Sequence, residues 1–175
     1  MSYDHKISDL KYRINGLVSK DVCKRIIDIF EKHPKKFGEE YGSESSLKFK
    51  TLKIEKDNFI AIMIANYVLH IKTKKICPDF NDILIKSSYN IRILKYNVDS
   101  YINDHSDVDE NIRASCTLNL NEDYEGGEFR FFDGQIKESF KTGDAMIFPA
   151  EPIWVHGTEP ITKGTRYCIN CFLER

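Results

Sequence analysis

No stretch of these 175 residues is apolar for long enough to cross a bilayer. The most hydrophobic run, "FIAIMIANYVLHI", is interrupted by Asn66 and His70 and falls short of the roughly 20 apolar residues a span requires. The opening "MSYDHKISDL" lacks the apolar h-region of a secretory signal, so the sequence reads as a soluble, cytoplasmic protein. Charge of one sign is equally lacking: 26 Lys and Arg stand against 27 Asp and Glu, and no half forms the basic footprint a polyanion needs. A nucleic-acid or membrane partner is therefore not expected. The five cysteines, Cys23, Cys77, Cys116, Cys168 and Cys171, are an odd number without a leader, which argues for reduced thiols. Cys168 and Cys171 form a lone C-x-x-C inside "TRYCINCFLE", a strand-like run in which residues three apart face opposite ways, which disfavours zinc or redox use. Internal repeats and low-complexity tracts are absent too.

The chain divides by texture. "SKDVCKRIIDIFEKH" places Val22, Ile26, Ile29 and Phe30 at helical spacing, with Ser19 as N-cap and Pro34 as stop. A second helix is predicted from Asp57 or Asn58 to about Lys75, with Ile60, Ile64, Tyr67 and Ile71 as its stripe. Between them lies a Gly/Ser-punctuated segment around Gly42 that reads as a loop, followed by strand-like alternation at Leu47, Phe49 and Thr51. From Tyr89 onward, "YNIRILKYN", "RASCTLNLN", "GEFRFF", "QIKESF", "AMIFP" and "TRYCINCFLE" are short β-type runs separated by "EGG", "DG" and "TGD". The length suits one domain, 1–175, with a helical support region and loop over 1–88 and a β-core over 89–175. The expected class is α+β, mainly β, a sandwich or small barrel with N-terminal helices packed against it.

In "NDHSDVDEN" the two-residue strand period would put His105 and Asp107 on one face, converging on one point. H-x-D alone is common by chance and needs a third ligand. His156 in "PIWVHGTEP" is the candidate, and two imidazoles with one carboxylate make the facial set suited to non-haem Fe(II). Ten residues later Arg166, if buried, offers a two-point grip for a dicarboxylate. In "CTLNLN" the polar Thr117 and Asn119 alternate with Leu118 and Leu120, so a polar face that lines a pocket and a plain structural one both remain open. "EGGE" reads as a turn, "DAMIFP" as a buried strand, and Trp154 as an aromatic packed beside His156. His5, His33 and His70 have no partners at ligand spacing.

Residues from Tyr89 to the C-terminus resemble the 2-oxoglutarate and Fe(II)-dependent oxygenases, and among them the prolyl 4-hydroxylase type. The resemblance is carried by "IRILKYN", by Arg113 to Asn121 ("RASCTLNLN"), Glu125 to Glu128 ("EGGE"), Gly143 to Phe148 ("GDAMIF") and His156 to Arg166 ("HGTEPITKGTR"), in that order. It implies a double-stranded β-helix, the jelly-roll or cupin-like fold. It also implies Fe(II) held by His105, Asp107 and His156, and 2-oxoglutarate held by Arg166, with Tyr96 as a hydrogen-bonding partner and Asn119 as a further pocket residue. The implied reaction consumes O2, hydroxylates a C–H bond, on this resemblance a prolyl residue in a peptide or protein, and releases succinate and CO2, with ascorbate as a candidate reductant. Two departures leave the target open. Many prolyl 4-hydroxylases carry lysine where Arg166 stands, and the segment "NVDSYIND" before the H-x-D lacks the glycine usual there. A lysyl residue, a free amino acid or another small molecule is the alternative substrate, and a metal-binding jelly-roll module without turnover is the non-enzyme alternative.

Overall fold

Strand alternation, more than helical content, decides this architecture. The computed structural model describes residues 10–32, 38–40, 49–53 and 87–174. The predicted second helix, the loop around Gly42, Cys77 and the three partnerless histidines lie outside the described residues. The chain runs β1 (Tyr12–Ile14), α1 (Lys20–Glu31), β2 (Gly38–Glu40), β3 (Phe49–Lys53), β4 (Ser87–Tyr96), β5 (Ile102–His105) and β6 (Ile112–Asn119). It continues through β7 (Glu125–Gly126), β8 (Phe129–Phe131), β9 (Ile136–Glu138), β10 (Ala145–Pro149), β11 (His156–Thr158), β12 (Ile161–Lys163) and β13 (Arg166–Glu174). A seven-stranded sheet has the order β1-β10-β6-β13-β4-β3-β2, a four-stranded sheet the order β5-β11-β8-β9, and β12 pairs with β7. All pairs are antiparallel. Two such sheets, joined by a chain that crosses between them, make the jelly roll expected from the sequence.

The central strands β4, β6 and β13 of the large sheet have two distinct faces. Ile93, Cys116, Leu118, Ile169, Cys171 and Leu173 point outward and join Cys23, Ile26 and Phe30 of α1 in one aliphatic core. Burying a side chain of this size stabilises the fold by about 1.5–3 kcal/mol, so three of them suffice to dock the helix. The helix begins where Ser19 caps it, its hydroxyl accepting from the Val22 amide. Its apolar face differs from the one expected: Cys23, Ile26, Ile27 and Phe30 face the sheet, and Ile29 is 51% exposed. A cysteine counted among the small apolar residues carries the stripe, and the face turns away from Ile29 as a result.

The opposite faces form the interior between the sheets. Phe129 and Phe131 from β8, Met146 and Phe148 from β10, and Phe140 and Trp154 from the loops pack into an aromatic cluster. Cys168 joins Leu94, Tyr96 and Ile161 in a further inner cluster, whereas Cys171 belongs to the outer core, so the C-x-x-C pair does straddle its strand. The "EGG" turn takes positive φ at Gly126 (78°) and Gly127 (72°). A side chain at Gly127 would run into the end of Ile161, beside Arg166, so the glycine suits both the turn and the close packing next to the arginine.

Candidate metal centre and dicarboxylate cleft

The pairing of β11 with β5 sets His156 directly opposite His105, and β8 brings Phe131 against His156 from the other side. Gly157 makes this approach possible, because a Cβ there would come within 2.7 Å of the Ile102 carbonyl and the Asp104 carboxylate. Asp107 was expected on the same strand as His105, but β5 ends at His105 and the carboxylate folds back from the following loop. The convergence is real all the same: ligand-type atoms of His105, Asp107 and His156 lie within 4.8 Å of one another.

Backbone carbonyls orient both imidazoles. His105 Nδ1 lies 2.8 Å from the Asn103 oxygen and His156 Nδ1 lies 3.0 Å from the Trp154 oxygen. Each Nδ1 therefore carries the proton that it donates, which leaves each Nε2 as the basic nitrogen. Those two Nε2 atoms stand 3.2 Å from opposite oxygens of Asp107, His105 against Oδ1 and His156 against Oδ2. A carboxylate placed between two imidazole lone pairs calls for a cation, and the donor set of two nitrogens and one oxygen fits Fe(II). Ser115 completes the arrangement by donating its hydroxyl to Asp107 Oδ2 at 2.5 Å.

The electrostatics agree. Burial works to raise the Asp107 pKa, but the imidazoles of His105 and His156, which can donate from Nε2 only when protonated, and the Ser115 hydroxyl outweigh it and hold the carboxyl well below the ordinary carboxylate range. Burial works to lower the His105 pKa, and here the bonds to Asp107 and the Asn103 carbonyl prevail and raise it. Phe129 stacks on the His156 ring at 5.3 Å and Phe148 meets it edge-on at 4.7 Å, so one side of the centre is walled by aromatic carbon. Trp154 packs on Phe131 and Phe132 in the same wall while its carbonyl orients His156.

From this centre a cleft extends between the sheets. Tyr96, Thr117, Arg166, Cys168 and Asn170 from the large sheet line it opposite the metal ligands. Arg166 is 1% exposed. Its Nε donates to Asn119 Oδ1 at 3.2 Å and its Nη1 to the Gly127 carbonyl at 3.1 Å, and its guanidinium lies over the Tyr96 ring at 5.5 Å. No ion pair is formed by Arg166 among the described residues, so the charge is held in place by neutral acceptors and suits an incoming anion. Burial penalises the cation, yet the surrounding thiol, tyrosines and Glu128 keep its pKa above the usual value. Burial likewise pushes the Tyr96 phenol well above its ordinary value.

Of the residues expected at the site, His105, Asp107, His156, Arg166 and Tyr96 all border one cleft. Asn119 stands behind it. Its Oδ1 accepts from Arg166 and from the Tyr124 hydroxyl, and its Nδ2 donates to the Asn121 and Phe140 carbonyls, so it holds the arginine. Ser115 was missed by sequence reading. The signal was present as polar alternation, Ser115, Thr117 and Asn119 on one face of β6, beginning one step earlier than the stretch that drew attention.

Comparison with known proteins adds independent findings. Residues 91–174 match the sequence model of the 2OG-Fe(II) oxygenase superfamily. A PKHD-type hydroxylase of Herminiimonas arsenicoxydans is 38% identical over 64 residues, which cover 34% of this chain and only 28% of that protein. A prolyl-4-hydroxylase from Pseudomonas putida superposes with a TM-score of 0.73 at 14% identity, over 97% of each chain. A prolyl hydroxylase from Trichoplax adhaerens, in complex with a hypoxia inducible factor peptide fragment, superposes with a TM-score of 0.73 at 12% identity over 95% of this chain and 84% of that one. The sequence match spans the two histidines, the aspartate and the arginine, and the scaffold is the jelly roll seen in prolyl hydroxylase structures, so residues 91–174 are similar in both sequence and fold to the 2OG-Fe(II) oxygenase superfamily.

Proposed function

We propose that the protein is a 2-oxoglutarate- and Fe(II)-dependent dioxygenase that hydroxylates a C–H bond, with a prolyl residue of a peptide or protein as its target. One observation carries the reading: a His-Asp-His set with both Nε2 atoms turned onto one carboxylate shares a cleft with a buried arginine that donates, among the described residues, to neutral acceptors. The similarity to prolyl hydroxylase structures and to a PKHD-type hydroxylase supports the substrate class. The whole chain, 1–175, acts as one domain in this reading, with its helical part supporting the β-core. The free Cys23, Cys116, Cys168 and Cys171 accord with a reducing, cytoplasmic setting, where ascorbate is one candidate reductant.

When bound, Fe(II) supplies the redox chemistry that joins oxygen from O2 to an unactivated carbon while 2-oxoglutarate is converted to succinate and CO2. The chain's own residues do the placing. His105, Asp107 and His156 would hold the metal, and the cleft they border would admit small ligands beside it. Arg166, locked by Asn119 and Gly127, receives the distal carboxylate, and Tyr96 beneath it shapes the pocket. Phe129, Phe148 and Trp154 keep water from the His156 side, which favours turnover over loss of reactive species.

A lysyl target is the second reading, favoured by the charge of the segment that presents the ligands. Between residues 97 and 112, Asp99, Asp104, Asp107, Asp109 and Glu110 occur without any lysine or arginine. The deciding assay is succinate formation from 2-oxoglutarate with Fe(II) and O2, in the presence of proline-rich or lysine-containing peptides, with peptide mass read in parallel. Succinate that rises with a proline-rich peptide, together with one added oxygen on proline, supports the first reading. Oxygen on lysine supports the second, and no succinate above a His105→Ala control in iron-loaded protein leaves a metal-binding module.

A further inference from the structure

The inner face of β6 carries three small polar side chains in succession, and two of them are already engaged. Ser115 donates to Asp107 Oδ2, and Asn119 accepts from Arg166. Thr117 lies between them, 2% exposed, and its Oγ1 has no hydrogen-bond partner. The Cys168 thiol is near enough to feel the hydroxyl, but it donates to Asn170 Oδ1 at 3.7 Å and is in any case a weak acceptor. Buried hydroxyls left without a partner are uncommon, and one that lines a ligand cleft has an obvious use.

Position narrows that use. Residues two apart on a strand are separated by about 7 Å, so Thr117 stands midway between the residue that touches the metal ligand and the residue that holds the arginine. Any ligand that bridges the metal centre and Arg166 passes over it. We propose that Thr117 is a cosubstrate-binding residue: its hydroxyl donates a hydrogen bond to an oxygen of the oxo-dicarboxylate laid between the metal and Arg166. This inference rests on the oxygenase reading above and adds to it a contact that resides in the middle of the cleft.

The test is calorimetric titration of 2-oxoglutarate into protein loaded with Mn(II), a stand-in that avoids turnover. Thr117→Val keeps the shape and removes the donor, and is expected to weaken 2-oxoglutarate binding about 10–100-fold, the usual range for one hydrogen bond to a charged group. Thr117→Ser should bind nearly as wild type. Mn(II) affinity should not change, and the ligand-free melting temperature of Thr117→Val should equal or exceed that of wild type, because no protein hydrogen bond is removed. Binding of 2-oxoglutarate by Thr117→Val within about twofold of wild type would overturn the proposal. So would a lowered melting temperature accompanied by loss of Mn(II) affinity, which marks a packing role. If Thr117→Val does not fold, Thr117→Ala compared with Thr117→Ser reads the same donor. Wild-type protein that binds Mn(II) but no 2-oxoglutarate removes the oxygenase reading itself, an outcome distinct from a silent Thr117 variant.

Discussion

The two ends of the cleft are built by opposite means. At the metal end one ligand reaches the protein boundary, with 41% of the His105 side chain exposed, and backbone carbonyls fix both rings. At the arginine end the guanidinium is sealed in, and side chains and a glycine turn hold it. A backbone carbonyl orients a histidine whatever side chain sits on that residue, so the metal end should tolerate change around it. The arginine end depends on the identity of Asn119 and Gly127, and should be sensitive at a distance.

The largest effect should come from removing a ligand. Asp107→Ala takes away the carboxylate that both Nε2 atoms face, and Fe(II) affinity should fall by more than the roughly 100-fold that loss of an outer partner can cost. Succinate formation should vanish with it. Equilibrium metal binding checks this, and 2-oxoglutarate bound without metal at the wild-type level would show that the two ends are independent. Next in size, Arg166→Met should weaken 2-oxoglutarate binding by about 10–100-fold while Fe(II) affinity stays put, since a charge-assisted pair is lost and no metal ligand is touched. Normal 2-oxoglutarate binding by this variant would end the assignment of Arg166.

Gly127→Ala probes sensitivity at a distance. The new methyl would require a left-handed backbone at φ 72° and collide with Ile161. A cost of about 1–3 kcal/mol is expected for such a position, read as a lowered melting temperature. Because the Gly127 carbonyl accepts from Arg166 Nη1, 2-oxoglutarate affinity should drop too, with metal affinity preserved. A variant that loses both equally would show that the ends are one cooperative unit.

The sequence made the metal end legible and the arginine end only half so. His105, His156 and Arg166 lie on strands, where a period of two reliably places side chains. What escaped was set by turns and packing. Asp107 leaves the strand, so its convergence with His105 depends on a loop that alternation does not describe. Asn119 stands behind Arg166 because Tyr124 and the Phe140 carbonyl draw it there, contacts distant in sequence or made after a turn. On α1 the face was misjudged by a fraction of a turn, since Cys23 counts as apolar only once it is packed.

The smallest expected effect separates the ends by pH. Asp144 accepts from Arg13 Nη2 at 2.7 Å, from the Gly16 amide at 2.9 Å and from the Lys141 amide at 3.0 Å, and its own carbonyl accepts from the Asn119 amide at 2.9 Å. Burial works to raise its pKa, but those bonds prevail and lower it. A carboxyl whose pKa is lower when folded adds stability that is complete above its unfolded value, about 3.9, and disappears as pH falls through the folded value. Asp144→Asn should therefore cost about 1 kcal/mol at neutral pH and progressively less below about pH 4, which a series of melting curves across that range would show. Asp107 is held down more firmly, by two imidazoles and a serine, so acid below about pH 4 should loosen the support of Asn119 and the arginine while the carboxylate at the metal end is still ionised. A difference between wild type and Asp144→Asn that is the same at pH 3 and pH 7 would mean that the carboxylate's charge contributes nothing to this support, and that the arginine end rests on neutral contacts alone.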